Sequence, residues 1–394
     1  MGKKILLLLQ AACLLAALSF GFALVWNGLF NDAGYYTPTF DNAMLWAARA
    51  RIIGDTGHYA EMEIVFGGIT KTYHVPFWPS LVAGFSALAG LNLYWSIRAI
   101  ALLQVLFLGG AVYLLAKKVS GGNKLAGAAA VFLAYNSPNL MTWGTRTTPI
   151  SWGVLLLAFG LWAVAEKKKE IAGVAAIALA LDHQPSLLVF VVTLLLFVIA
   201  SNFSKAEQAL KKKSLKEIDL APIVAGIVAF VAYMAWHIRQ TGFSCLNFKC
   251  LPQASAREFG RSIELTPFLA KFPSVIGALG VVLLVFATLG KESKEKQACG
   301  IAGVLAAAVG VFLPSTPLLL AALLLLIYAF SAMHEELLLT CFVAGALLLV
   351  KNDALGFGVF TERFLTHFDE ALAVAGGCLV ACAISMLNNV FSKK

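Results

Sequence analysis

Charged side chains are scarce in this sequence, because Asp, Glu, Lys and Arg together make up 13% of its 394 residues. Hydrophobic residues make up 60%, and the mean hydropathy is +0.83. In soluble globular proteins charged residues account for about a quarter of the chain, so this composition excludes that class. Apolar runs recur along nearly the whole sequence. We therefore predict an all-α fold, a polytopic transmembrane helical bundle.

The sequence also lacks the common motifs of soluble enzymes. It contains no Gly-x-Ser-x-Gly, P-loop or His-Glu-x-x-His pattern, which removes the usual signals of hydrolases, NTPases and zinc proteases. Its seven cysteines show neither zinc-site spacing nor a Cys-x-x-Cys pair. Five of them lie in apolar runs and are interpreted as core residues. Cys245 and Cys250 lie in a polar segment, where a disulfide is permitted if that segment is extracellular.

Twelve apolar segments have the character of membrane spans. The first follows two lysines and resembles a signal peptide, but its apolar core of about 20 residues can span a bilayer. No clear cleavage site ends it, so we predict that it is retained. The segments are about 5–26, 95–116, 124–138, 149–165, 170–182, 186–202, 219–238, 272–290, 298–313, 316–332, 335–350 and 370–390.

The net charge of +9 is distributed unevenly between the connections. One alternate set carries only lysine as its basic residue, and the positive-inside rule places that set and both termini in the cytoplasm. Topology thus accounts for the basic excess, and a nucleic-acid partner is not expected. All eight arginines fall on the other, outer side or at its membrane edge. Since arginine suits phosphate and carboxylate, the pattern favours an anionic ligand on the outer face, although anchoring and acid pairing are alternatives for each arginine.

Two parts of the chain are distinguished by their outer loops. Residues 1–205 are predicted to form a membrane module with a large polar outer loop at 27–94. Within that loop, residues 40–53 and 76–92 are predicted as juxtamembrane helices lying on the outer face. Residues 206–394 are predicted to form the remaining bundle, with a second outer loop at 239–271. From residue 272 onward the sequence has few ionisable residues and is interpreted as scaffold.

Three groups of residues are candidates for chemistry, and each has a structural alternative. Asp182 and His183 form a polar break between two apolar runs, where ionisable groups usually line a site, or they cap a helix end. Asp41 is either a general base or the N-cap of the helix that follows it. Glu61 and Glu63 are either a divalent-metal pair or, as we favour, an ordinary solvated surface.

The order of elements over residues 1–205 resembles the GT-C fold glycosyltransferases, such as aminoarabinose transferases and protein O-mannosyltransferases. The matching features are an acidic residue opening a helix in the first outer loop, a Tyr/His-x-Pro element, Gly followed eight residues later by Arg at the start of the second span, and the sequences that end the second and third spans. In this sequence they are, in the same order, Asp41-Asn42, Tyr73 to Pro76, Gly90 to Arg98, Ala116-Lys117-Lys118-Val119, and Asn136-Ser137-Pro138.

The resemblance implies roles for individual residues. Asp41 matches the catalytic base, although the family's common Asp-Glu is Asp-Asn here. In similar proteins, cationic groups lie near the lipid-phosphate donor, and the matching residues in this sequence are Arg98, Arg146, His183 and His74. The resemblance also leads us to expect that Asp182, Arg49 and Tyr73 line the same site. The Trp-Trp-Asp signature of oligosaccharyltransferases is absent, which argues against that branch, and the lack of Asp-x-Asp in the outer loops argues against a metal.

The expected function is therefore inverting transfer of a monosaccharide from a polyprenyl- or dolichyl-phosphate donor, at the outer face of a cell membrane. No cofactor is expected beyond this lipid co-substrate. The acceptor is a lipid, a glycan or a protein, and the absence of a predicted soluble domain favours the first two. A transporter or flippase for an anionic lipid or solute is one alternative, and a noncatalytic membrane scaffold is another; inverted repeats typical of transporters are not evident.

Overall fold

The apolar runs of the sequence form helices in a computed structural model of the chain. The structure describes residues 3–30, 43–59, 62–65, 68–71, 76–144, 147–212, 221–241, 263, 265–269, 271–289, 293–313, 315–330, 334–355 and 361–391. Sixteen α-helices and one hairpin are found in these ranges. The helices of the first half are α1 (Lys3–Phe30), α2 (Ala43–Thr56), α3 (Phe77–Ala89), α4 (Leu93–Val119), α5 (Lys124–Tyr135), α6 (Pro138–Gly144), α7 (Pro149–Ala165), α8 (Lys169–Ala180) and α9 (Gln184–Lys212).

The second half continues the helical pattern. Its helices are α10 (Ala221–Thr241), α11 (Leu265–Leu269), α12 (Phe272–Leu289), α13 (Lys294–Phe312), α14 (Thr316–Phe330), α15 (His334–Val350) and α16 (Thr361–Phe391), with a 3-10 turn at Asn352–Leu355 before α16. Each of the twelve predicted apolar segments coincides with one of these helices. The prediction of a helical membrane protein is thus confirmed.

Local sequence signals fix several helix boundaries. The side chain of Asn92 accepts a hydrogen bond from the backbone nitrogen of Trp95 at 3.0 Å and caps α4. Asn123 caps α5 in the same way. Pro149 occupies the first turn of α7, where a missing N–H costs nothing. Gly90 ends α3 in the left-handed region, at a φ of 64°.

Only some of the helices are both long enough and apolar enough to count as membrane spans. In the part of the chain that the structure describes, three helical segments are long and apolar enough to cross a membrane: Leu93–Val119, Gln184–Ser201 and Thr361–Met386. The pair α6 and α7, bent by 113°, makes a fourth if it is one broken span. The count of twelve spans therefore stays a prediction.

The described part of the segment predicted as the first outer loop contains two helices, close to the predicted ranges 40–53 and 76–92. Helix α2 packs on α3, and both rest on α4 through a small apolar cluster. Between α2 and α3 the chain forms an antiparallel hairpin of β1 (Met62–Val65) and β2 (Gly68–Lys71). The sequence did not predict this hairpin, which contains Glu63. The cluster is built from Trp46, Ala50, Trp78, Val82, Ile97 and Ile100.

Helix α16 lies at the centre of the bundle and corrects one prediction. It packs against α5, α12 and α15, and a Cβ placed on Gly277 of α12 would lie 2.5 Å from the carbonyl oxygen of Leu372. Small residues at such contacts let helix backbones approach closely. The sequence placed the last span at 370–390, but α16 begins at Thr361. The earlier start carries an additional run of polar and ionisable side chains into the buried core.

Candidate functional site

The break between α8 and α9 places two ionisable side chains in the interior. Asp182 is 1% exposed and His183 is 7% exposed. Both carboxylate oxygens of Asp182 lack a hydrogen-bond partner in the described structure. His183 also lies near two side chains of α16, Arg363 and His367.

His183 begins a hydrogen-bonded chain that crosses from α9 to α16. Its Nδ1 lies 2.7 Å from Oγ of Ser186, one turn further along the chain. The same Oγ lies 2.9 Å from Nε2 of His367. Nδ1 of His367 is in turn 3.4 Å from Oε2 of Glu370. We name these four residues the His183 chain; Ser186, His367 and Glu370 are completely buried.

Helix α7 presses directly on this chain through a glycine. A Cβ placed on Gly153 would lie 2.8 Å from Cβ of His183 and even closer to Oγ of Ser186. Real Cβ atoms essentially never approach within 3.0 Å, so only glycine fits here. The position of the His183 chain therefore depends on the close approach of the α7 backbone.

The start of α3, within the first loop, is attached at the same break. The backbone nitrogen of Phe77, at the start of α3, donates to the carbonyl oxygen of Leu181 at 2.8 Å. The ring of Phe77 also lies 6.3 Å from the ring of Trp152, centroid to centroid, and Trp152 precedes Gly153 on α7. The predicted Tyr-His-x-Pro element thus ends beside Asp182 and His183.

Two predicted arginines are buried next to the apolar cluster of the first loop. Arg49 on α2 is 2% exposed, and its guanidinium carbon lies 4.3 Å from the ring centroid of Trp46. Arg98 on α4 is 6% exposed and lies 3.4 Å from the ring centroid of Tyr94. Stacking on aromatic faces lowers the cost of burying a guanidinium. Trp152 packs against both this cluster and the main core, so it bridges the arginine region and the His183 region.

Polar side chains also hold the ends of helix α6. The side-chain amide of Gln104 on α4 donates to the carbonyl oxygen of Gly144, and its Oε1 accepts from Ser151 at 2.9 Å. At the other end of α6, the carboxylate of Asp369 accepts from Ser137 and, at 3.4 Å, from Ser274. The end of α6 and the start of α7 are thereby both held against α4, the helix of Arg98.

Several predicted residues lie outside the part of the chain that the structure describes. Their roles stay predictions, as does the proposed disulfide. These residues are Asp41, Tyr73, His74, Arg146, Cys245 and Cys250. Of the predicted set, the structure describes Arg49, Arg98, Asp182 and His183, and it places all four in buried positions.

Sequence reasoning missed the contribution of α16. Arg363, His367 and Glu370 follow one another at intervals of four and three residues, which puts them on one face of a helix. That spacing was a usable signal, but residues 361–369 were assigned to an outer connection. The interpretation of the sequence after residue 272 as scaffold stays a prediction, but His367 of this helix contacts Ser186 directly.

A metal centre is not evident in the described ranges. They contain no group of three or more His, Cys, Asp or Glu side chains arranged to hold a metal ion. Of the candidate metal pair in the first loop, Glu61 lies outside those ranges and Glu63 lies in β1. The prediction that no metal is needed is thus left to experiment.

Comparison with known proteins identifies the fold. No protein-family model matches the sequence, and no curated protein matches it significantly. Among solved structures, the archaeal oligosaccharyltransferase AglB from Archaeoglobus fulgidus, in complex with an inhibitory peptide and a dolichol-phosphate, superposes with a TM-score of 0.52 at 12% identity. That match covers 97% of this chain and 51% of AglB.

A second structure agrees with the first. The apo form of the Archaeoglobus fulgidus oligosaccharyltransferase gives a TM-score of 0.50 at 14% identity, over 91% of this chain and 56% of that one. The chain thus spans about half the length of the enzymes it matches. At such low identity the likeness concerns the fold, and it does not single out the aminoarabinose or O-mannosyl type. The helical membrane bundle described here has the GT-C fold.

Proposed function

We propose that this protein is an integral-membrane, inverting glycosyltransferase. It transfers a monosaccharide from a polyprenyl- or dolichyl-phosphate donor to a lipid, glycan or protein acceptor on the outer face of the membrane. The GT-C fold supports this proposal, and so does the dolichol-phosphate bound by AglB. The peptide in that complex keeps a protein among the acceptor classes.

The reaction needs a base for the acceptor and positive charge for the departing lipid phosphate. Asp41, in the first outer loop, removes the proton of the attacking hydroxyl or amine. Arg98, Arg146 and His183 stabilise the phosphate as it leaves, an electrostatic effect that increases as negative charge develops. Attack from the face opposite the phosphate inverts the sugar.

One backbone contact carries the proposal. The hydrogen bond from Phe77 to Leu181 ties the start of α3, which belongs to the same loop as Asp41 and His74, to the buried Asp182–His183 break. A base on the loop and a phosphate partner at the break can thereby face one substrate. Ionisable side chains in a membrane interior are costly and usually mark such a site.

The test is the replacement Asp41→Asn in full-length protein reconstituted into lipid vesicles. We expect transfer from a polyprenyl-phosphate sugar to fall about 100-fold or more, since general base catalysis typically contributes 10²–10⁴-fold. Asp55→Asn is the matched control, because Asp55 lies in the same loop with its side chain 69% exposed beside Arg51. It should transfer at the wild-type rate.

Two results would contradict the proposal. Undiminished transfer by Asp41→Asn would remove Asp41 from the reaction. Passage of an anionic lipid or solute across the vesicle membrane, without any covalent sugar product, would instead identify a transporter.

A further inference from the structure

The protonation of His183 follows from one backbone contact. The amide nitrogen of Ser186 donates to Nδ1 of His183 at 3.4 Å. A backbone N–H can only donate, so Nδ1 accepts and carries no proton. A neutral imidazole holds its single proton on the other nitrogen. Nε2 of His183 is therefore a hydrogen-bond donor.

The direction of the next hydrogen bonds is then determined. Because Nδ1 of His183 accepts, the hydroxyl of Ser186 donates its only proton to that atom at 2.7 Å. Towards Nε2 of His367, at 2.9 Å, the same oxygen must accept. His367 therefore carries a proton on Nε2.

Glu370 completes the chain in one of two forms. If His367 is neutral, its Nδ1 accepts from a protonated Glu370; if it is an imidazolium, Glu370 is a carboxylate. Both side chains are completely buried in α16. Burying two charges costs more than burying a neutral hydrogen-bonded pair, so the neutral form is favoured.

A cationic side chain lies near His183. Arg363 is one helical turn before His367 on α16, close enough to His183 for an electrostatic interaction. A neutral N–H donor beside a guanidinium suits an anionic oxygen, which accepts hydrogen bonds and carries negative charge. Among the ligands of the proposed function, the lipid phosphate has this chemistry.

We propose that Ser186, His367 and a protonated Glu370 hold His183 as a neutral hydrogen-bond donor at Nε2, directed to the phosphate of the lipid-linked sugar. Arg363 supplies positive charge at the same place. Ser186, His367 and Glu370 are positioning residues, since they act through His183. This inference rests on the proposed function for the identity of the phosphate, but the protonation order rests on the geometry alone.

Nitrogen NMR tests the protonation order without any substrate. The full-length protein, labelled with ¹⁵N-histidine, is measured in lipid bilayers, and the spectrum of His183→Gln is subtracted to isolate His183. We expect an unprotonated Nδ1 and a protonated Nε2. A protonated Nδ1 would overturn the proposal.

Binding of a polyprenyl monophosphate tests the ligand. The protein is placed in nanodiscs of zwitterionic phospholipid, and Ser186→Ala is compared with Thr193→Val on the same helix. Both hydroxyls are completely buried, but that of Thr193 has no hydrogen-bond partner in the described structure. Ser186→Ala should weaken binding about tenfold or more, as expected for a disturbed bond to a charged group, and Thr193→Val by less than twofold.

The form of Glu370 is tested by a conservative pair. In Glu370→Gln a neutral amide can still donate to His367, so binding should be restored to within about threefold of wild type. In Glu370→Leu no donor remains, and binding should weaken as in Ser186→Ala. Equal weakening in both variants would show that a carboxylate is required and would refute the neutral chain. If Ser186→Ala does not accumulate, His367→Gln and His367→Leu supply the same comparison.

Further measurements distinguish a lipid phosphate from free phosphate as the ligand, and distinguish failure of this inference from failure of the proposed function. Inorganic phosphate should not displace the polyprenyl monophosphate; displacement would assign the site to free phosphate. If Ser186→Ala and Glu370→Leu bind the lipid normally and the wild type transfers sugar, the positioning role of Ser186 and Glu370 is contradicted. The glycosyltransferase proposal is then unaffected. If the wild type transfers no sugar but the variants show the expected binding pattern, the proposed glycosyltransferase activity is contradicted. The His183 chain would then be part of a site that binds lipid phosphate without catalysis.

Discussion

Adding one methyl group to α7 should disable the site without removing any functional group. In Gly153→Ala the new Cβ would lie 2.8 Å from Cβ of His183 and 3.1 Å from Cβ of Ser186. Both distances are near or below the limit that Cβ atoms adopt, so the turn that carries His183 must move by several tenths of an ångström. Overpacking of this kind costs about 1–3 kcal/mol, partly offset by about 0.5–1 kcal/mol because alanine favours a helix over glycine.

The net loss of folding stability is thus about 0–2.5 kcal/mol. The effect on activity should be larger, because a misplacement of about 1 Å can lower a rate about 100-fold. We expect sugar transfer in reconstituted vesicles to fall by about 10- to 100-fold. The thermal unfolding temperature in detergent should fall by several degrees at most, since 1 kcal/mol corresponds to about 2–4 °C in a large domain.

A matched control uses the neighbouring helix α8. A Cβ on Gly173 would meet nothing within 4 Å, so Gly173→Ala should transfer at the wild-type rate and unfold at the same or a higher temperature. Wild-type transfer by Gly153→Ala would show that the position of the His183 turn is irrelevant to catalysis. That outcome would refute the assignment of the site.

Two further predictions concern capping and metal. Asn92→Ala removes the N-cap of α4 and should cost about 1 kcal/mol of folding stability, whereas no measurable change would mean that the cap bond to Trp95 is unimportant. Sugar transfer should persist in EDTA; loss that is restored by Mg²⁺ or Mn²⁺ would show that a metal is needed.

The sequence predicted the helices well because their signals are local. An apolar run bounded by Pro149 at one end and a lysine-rich turn after Ala165 at the other specifies α7 without reference to any other segment. The same holds for α4, which begins after Asn92. The polar break at Asp182 and His183 was also evident from the sequence, because it lies between two apolar runs. That place led us to expect both residues at membrane depth.

What could not be predicted depends on long-range packing. The contact of Ser186 with His367 joins residues 181 positions apart, and nothing near either residue indicates the other. Likewise, Gly153 resembles any glycine in a membrane helix until α7 and α9 are brought together. The hairpin of β1 and β2 was missed because its strands have only four residues each.

The same separation in sequence has a consequence for how the protein is made. At a synthesis rate of about 5–20 residues per second, His367 emerges from the ribosome roughly 10–40 s after Ser186. During that interval the growing chain must keep His183 and Ser186 at the membrane without their partner on α16. Chains interrupted before α16 would expose these polar groups to lipid, where unsatisfied groups are costly. Insertion of α16 is therefore the step at which a nascent chain becomes distinguishable from one that quality control should remove.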